Sequence, residues 1–312
     1  MTPKEYKYEV AFSFLQKDEK IAYDINDHIS DRLSTFIYSK KQEELGGTDG
    51  EKKFNEVFYE EARIVVILYR DGWGQTAWTS IEETAIKNRA FGKDWHFLFL
   101  INLDSKSTLP KWIPMSYIWL DYERYKTEGA IAVIEQKVKE QGGQVRPETI
   151  KDSADRLKRL RLAEKEREEF LRSNEATHNA IAELKIIMDK LPEIKKEIED
   201  PTTNLMLGTG QDRGMYEFGY HNFYLCFFCS RIDYGLAGQL KISLYEKSGH
   251  KGFDYKENIL KQSVYKFDRD LIGNNGWSNY DTGKDFITTN ELIDHWVKKF
   301  IEDLGRRKKN SR

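Results

Sequence analysis

The segment RIVVILY, residues 63–69, constrains this chain more than any other. After its arginine it offers water almost nothing polar, so it reads as a strand covered on both faces. A strand of that kind belongs to a parallel sheet with helices on each side, since a half-exposed antiparallel strand would alternate apolar and polar residues. The flanking segments agree. KYEVAFSF (7–14) and WHFLFLINLD (95–104) are apolar at most positions. Between Asp18 and Leu33, the residues Ile21, Ala22, Ile25, Ile29 and Leu33 recur at helical spacing, with Asp18 as the expected N-cap. Thr35–Tyr38 reads as a second, short strand. Glu51–Ala62 reads as a helix with Phe54, Val57, Phe58 and Ala62 on one stripe, and Thr79–Phe91 as another helix. SYIWLD (116–121) is the expected last strand, and a helix over Gly129–Glu140, ended at Gly142–Gly143, closes the unit. Strands alternating with helices predict an α/β sandwich around a parallel sheet.

From Pro147 to Asp200 the chain turns to dense charge and strong helix formers. Ala154, Leu157, Leu160 and Ala163 make one apolar stripe, and Ile181, Leu184, Ile187, Met188 and Leu191 make another. The spacing predicts a helical connector. A dimerising coiled coil is the alternative, weakened by a stripe that is narrow and not strictly heptad. From Met215 the period shortens: EFGYHNFYLCFFCSRI, GQLKISLYEK and KQSVYKFDRD read as antiparallel strands. NELIDHWVKKFIEDL (290–304) is a terminal amphipathic helix carrying Leu292, Trp296, Phe300 and Leu304, capped by Thr289 or Asn290. The expected organisation is an α/β domain over 1–143, a helical connector over 144–204 and a C-terminal α+β, mostly β, domain over 205–312.

Several classes of function are disfavoured. Fifty Lys and Arg against 52 Asp and Glu leave a net charge of −2, which exerts no pull toward nucleic acid or an anionic membrane. The basic end GRRKKNSR reads as a solvated terminus. No stretch approaches the length of a membrane span and the N-terminus has no apolar leader, so a cytoplasmic protein is expected. Cys226 and Cys229 form a lone C-x-x-C inside a strand, where an odd offset places them on opposite faces; small buried thiols are the better reading than zinc. The six histidines show no metal-ligand spacing, and no metal is expected. The aromatic residues of the C-terminal region (Phe218, Tyr220, Tyr224, Tyr245, Trp277 and Tyr280) read as core packing before they read as a ligand site.

Three segments, in order, resemble Toll/interleukin-1 receptor (TIR) domains over roughly residues 6–143. YEVAFSF is similar to the family's first strand with its aromatic-x-Ser-aromatic ending. FIYSKKQEELGGTDGEKKF resembles the second strand and the BB loop that follows it. RIVVILYRDGWGQTAWTSIEETAI is similar to the central strand, loop and W-x-x-x-E pattern of the NAD-cleaving members. The resemblance implies a flavodoxin-like TIR fold, with Glu82 as the catalytic carboxylate and NAD as substrate, no cofactor being required.

The chemistry is consistent with that assignment. Cleavage of the nicotinamide–ribose bond leaves an oxocarbenium-like ribose, which a nearby carboxylate stabilises, and nicotinamide leaves as a neutral group without an acid. Ligands of open parallel sheets bind at the carboxyl ends of the strands, where the loop after RIVVILY delivers Glu82. Trp78, four residues earlier, shares a helix face with it; pocket wall and core aromatic are equal readings for Trp78. Glu83 points about 100° away around the helix and is the weaker candidate. Ser13 and Phe14 at the end of the first strand, and Tyr38 and Lys40 at the start of the BB loop, are the implied substrate contacts, with strand-end packing the alternative for Ser13 and Tyr38. Where the family often has arginine after the Ser-aromatic pair, this chain has Leu15 and Gln16.

The resemblance implies an NAD glycohydrolase or ADP-ribosyl cyclase acting in antiviral defence. Self-association through TIR domains, and an activating ligand or partner at the C-terminal domain, go with it. A non-catalytic TIR assembly module is the second reading, and deoxyribosyltransferase-like chemistry a third.

Overall fold

Five parallel strands form the sheet that RIVVILY predicts. In a computed structural model of the protein they are β1 (Tyr8–Phe14), β2 (Thr35–Phe36), β3 (Ala62–Tyr69), β4 (Leu98–Asn102) and β5 (Leu120–Asp121), in the order β2-β1-β3-β4-β5. The order is that of a flavodoxin-like fold. The structure describes residues 5–41, 50–200, 207–212, 215–229, 239–248, 256–282 and 286–310. The chain divides into two compact units, Met1–Lys158 and Arg159–Arg312.

The helices of the first unit are α1 (Glu19–Ile29), α2 (Gly50–Glu56), α3 (Ala77–Gly92) and α4 (Tyr122–Glu140), with a π-helical turn over Val57–Glu61. Alternation along β3 explains why the sheet is covered twice. Ile64, Val66 and Leu68 pack with Ile25, Ile29, Ile134 and Val138 of α1 and α4. Val65, Ile67 and Tyr69 pack with Phe54 of α2, Phe58 of the π turn, and Ala85 and Ile86 of α3.

Three local expectations are corrected. Asp18 stands at the N-cap position of α1 but makes no side-chain cap bond. A 3-10 turn over Gln16–Asp18 runs straight into the helix, so the cap residue lacks the extended backbone that aims its carboxylate at the first turn. Asp18 instead pairs with Arg70, which follows β3, at 2.6 Å. The last strand is two residues long, and Met115 and Ile118 of the preceding segment lie exposed. Helix α4 begins at Tyr122, well before Gly129, through a kink at Lys126 with φ +53°.

Helix α3 is anchored by a buried arginine. The Arg89 guanidinium donates to the carbonyls of Phe58 (3.1 Å), Ala62 (2.7 Å) and Arg63 (3.0 Å) and lies over the Phe97 ring. It thereby satisfies carbonyls left open where the π turn passes into β3. Burial lowers its pKa to about 10, which leaves it charged at neutral pH.

The second unit is built on a six-stranded antiparallel sheet with strands in chain order. They are β6 (Gly208–Asp212), β7 (Met215–Tyr220), β8 (Phe223–Cys229), β9 (Gln239–Ser248), β10 (Lys256–Arg269) and β11 (Asn275–Asn279). The segment read as a connector forms α5 (Ile150–Leu171) and α6 (Asn174–Ile198). Helix α6 does not stand free. Its Ala176, Ala180, Leu184, Ile187 and Leu191 join Phe218, Leu225, Ile242 and Phe267 of the sheet in one core. The terminal helix α7 (Thr289–Asn310) adds Leu292, Trp296, Phe300 and Leu304 to that core, as its periodicity predicts. Phe218 and Trp277 are fully buried there, whereas Tyr280 is exposed. No helix among the described residues is long and apolar enough to cross a membrane.

Replacing Arg89 by methionine leaves three carbonyls without a donor while keeping the side-chain volume. Arg89→Met is expected to lower stability by about 3 kcal/mol in urea denaturation followed by tryptophan fluorescence. A loss below about 1 kcal/mol would remove Arg89 as the anchor of α3.

Candidate functional site

Two hydrogen bonds build the candidate site at the carboxyl edge of the parallel sheet. Ser13, next to last in β1, donates from Oγ to Glu82 Oε2 at 2.5 Å, and the indole Nε1 of Trp73 donates to Ser13 Oγ at 2.9 Å. The loop that follows β3 makes this relay. Gly72 and Gly74 have φ of +97° and +83°, a region other residues rarely enter, and they flank Trp73. Successive turns, Trp73 N–H to the Arg70 carbonyl and Gln75 N–H to that of Gly72, fold the loop back over the sheet edge. Trp73 is buried there, edge-on to Tyr69.

Helix α3 then starts at a capping box in which the Thr76 hydroxyl accepts from Thr79 N–H and the Thr79 hydroxyl accepts from Thr76 N–H. The N-terminal half of the helix turns Thr79 and Glu82 inward. Glu82 is 6% exposed, and burial pushes its carboxyl up to about 8 from an ordinary 4.5, with the Ser13 hydroxyl bond acting in the opposite sense.

A second cluster stands on the same helix. Trp78 stacks on Tyr38 at 5.8 Å between ring centroids and meets Phe54 at 5.7 Å. It does not enter the core but is 49% exposed, lying over the start of α2 so closely that a Cβ at Gly50 would come within 3.0 Å of the indole.

The structure therefore joins Ser13 to Glu82, and Tyr38 to Trp78. Phe14 belongs to neither pair. It is the last residue of β1 and points to the opposite side of the sheet, against the layer of α1 and α4. The side chain of Lys40, and Gly46 and Gly47 of the BB loop, lie outside the described residues. Glu83 is engaged elsewhere, accepting from Trp112 Nε1 at 2.5 Å.

Sequence reasoning missed Trp73 and the Asp18–Arg70 pair. The signal for Trp73 was its place between two glycines; the pair, 52 residues apart by their numbers, had none. Among the described residues, no three His, Cys, Asp or Glu side chains are grouped to hold a metal ion. No protein-family model matches the chain, and no curated protein matches it.

A buried acid whose pKa is raised leaves a mark on stability. In the unfolded chain the carboxyl ionises near 4.5, while in the fold it keeps its proton to about 8. The native state binds the extra proton in that window, so this contribution is complete below 4.5 and is lost as pH rises through 8. Glu82→Gln removes the titration at nearly constant shape. The variant is expected to be more stable than the parent at pH 8 by on the order of 3 kcal/mol, and close to it at pH 5, in urea titrations. Parallel pH dependences would show that Glu82 ionises normally in the fold.

Proposed function

We propose that the first unit is a TIR domain that cleaves NAD between nicotinamide and ribose, with Glu82 as the carboxylate that stabilises the ribosyl cation. The single observation that carries the reading is the seating of Glu82. An acid with a strongly raised pKa is held by a serine from the neighbouring strand, at the carboxyl edge of a flavodoxin-like sheet. That is an unfavourable place for a glutamate without a task, since burial of an acid costs stability at neutral pH.

The substrate's own charge fits such a group. NAD carries a positive pyridinium, and a cation brought beside a buried carboxyl favours its ionised form. Binding of the substrate would thus drive the proton from Glu82. As the glycosidic bond breaks, positive charge passes from the pyridinium to the ribose ring beside the carboxylate. Ser13 holds the Oε2 atom in place, and Trp73 holds Ser13. Tyr38 and the exposed Trp78 offer aromatic faces on the same helix layer for the rest of the dinucleotide. Water or an internal nucleophile then completes hydrolysis or cyclisation.

The test is nicotinamide release from NAD by the full chain. Glu82→Ala is expected to reduce kcat at least about a hundredfold. For the parent, kcat/KM should rise with pH to a plateau above about 8, because it reports the free enzyme's essential base. Ser13→Ala removes a bond that favours the ionised carboxyl and should move that rise to higher pH. Undiminished turnover in Glu82→Ala would remove the carboxylate from the mechanism. No nicotinamide release by the parent at any concentration would leave the assembly-module reading in its place.

Self-association is part of the proposal. The resemblance implies active sites completed by BB-loop packing between copies, and contact with a neighbour would convert a poorly formed pocket into a competent one. Specific activity is expected to rise with protein concentration. Cleavage at full rate by a strictly monomeric sample would remove the requirement for assembly.

A further inference from the structure

One face of the antiparallel sheet is covered by α6 and α7, and the other carries a hollow of about 450 Å³. Register sets its shape. On the open face, Met215 of β7, Phe228 of β8 and Lys241 of β9 stand in one row. Glu217, Cys226 and Ser243 stand in the next row, and Tyr224, Tyr245 and Ile259 in the third. The two small residues at the centre, Cys226 and Ser243, form a floor between taller walls. The odd offset of the C-x-x-C is realised here: Cys226 lines the hollow and Cys229 packs toward the core on the other face.

Charge is distributed unevenly across this floor. Glu217 is buried and fully engaged, accepting from the Tyr245 hydroxyl and from Lys247 Nζ at 2.7 Å. Lys247 also lies over the Tyr224 ring at 4.0 Å. That end of the hollow is a neutral, rigid wall. At the other end Lys241 has no carboxylate partner among the described residues, and the Ser243 hydroxyl has no protein hydrogen-bond partner among them. Same-face neighbours on one strand sit about 7 Å apart, so this ammonium and hydroxyl present two donors to one small acceptor group. Phe228 and Ile259, both substantially exposed, supply apolar walls. The volume falls within the ordinary range for small-molecule sites, ~300–1,000 Å³.

We propose that this hollow binds a small organic anion with an aromatic or apolar body, its acidic group taken by Lys241 and Ser243 and its ring laid against Phe228 and Ile259. The site lies wholly within the second unit and is independent of the NAD reading. Buried Glu217 and Tyr245 and the partly buried Lys247 hold the wall in shape, and Lys241, without a carboxylate partner among the described residues, supplies the selectivity for an anion.

The probes are the anionic dye anilinonaphthalene sulfonate and its uncharged analogue N-phenylnaphthylamine, titrated by fluorescence into the full chain. The sulfonate is expected to bind saturably, with one equivalent per chain. Lys241→Ala alters only a half-buried surface side chain. It should weaken sulfonate binding roughly tenfold, the loss of one charge-assisted contact, and leave the neutral dye unchanged. Ser243→Phe fills the floor and should abolish both. Where Ser243→Phe proves unfolded by circular dichroism, the comparison of the two dyes in Lys241→Ala decides alone. Sulfonate affinity unchanged by Lys241→Ala, equal losses for both dyes in that variant, or no saturable binding by the parent would overturn the proposal.

Discussion

Helix α3 is held by buried polar contacts at both ends, and the arrangement of the first unit follows from them. Its inward face offers little apolar bulk: Ala85, Ile86 and Ala90 are its buried apolar side chains, with Ile81 partly buried against the same core. Burial of three such side chains contributes only a few kcal/mol at ~25 cal/mol per Å², too little to fix a long helix by itself. Arg89 adds three bonds to carbonyls of the π turn and β3, and Glu82 adds one to β1. Charged or ionisable groups in the interior are costly unless their partners are in place. These two thus fix the helix in one position while contributing modestly to net stability. The carboxyl at the sheet edge is as well located as the arginine makes it.

The parallel sheet was legible because its signal is repeated. Doubly buried strands read as apolar runs, and β1, β3 and β4 each carry one. The edge strand β5 carried a false version of that signal. SYIWLD is apolar in composition, yet only Leu120 and Asp121 pair with β4, while Ile118 and Trp119 lie exposed and Tyr117 packs against the core, donating to the Leu98 carbonyl. Composition does not show which segment finds a partner. The helices of the middle segment illustrate a different limit. Of the predicted stripe, Leu184, Ile187 and Leu191 are buried and Met188 packs against the core, while Ile181 is half exposed; the buried line continues through Ala176 and Ala180, which the stripe leaves out. Alanine packs a helix close against a sheet and is nearly silent in a hydrophobicity pattern. The stripe therefore reads as narrow, and the helix as a connector.

The candidate site shows the same division. Glu82 and Ser13 were readable from local patterns, and the fold brings them together across 69 residues of separation. The indole of Trp73 that holds Ser13 depends on two positive φ angles in a loop, which spacing does not encode. The helix-face rule placed Trp78 beside Glu82, but position on a cylinder is not position in a layer. Trp78 instead stacks on Tyr38 and meets Phe54, half exposed at the rim of the layer that encloses Glu82. Phe14 lies apart from Ser13 for the period-two reason: adjacent strand residues face opposite layers, and Phe14 packs on the side of α1 and α4.

Burial of the Glu82 carboxyl has opposite consequences in the two states of the proposed reaction. Without a cation nearby, low local polarity keeps the acid protonated and the neutral group is tolerated in the core. With a cation nearby, the same low polarity strengthens their attraction, since charge interactions grow as the effective dielectric falls. A solvent-exposed glutamate would be ionised at all times at neutral pH and would attract the developing ribosyl cation weakly through water. A buried one is neutral at rest and becomes a strong partner only when positive charge arrives. Ser13 moderates the balance. Its donated bond favours the ionised form, so without it the acid would be harder to ionise at neutral pH even beside a cation. The serine therefore does more than position an oxygen. In the proposed reaction it would set how much positive charge the substrate must bring before the carboxylate forms, and so would couple the chemistry of this edge of the sheet to substrate charge.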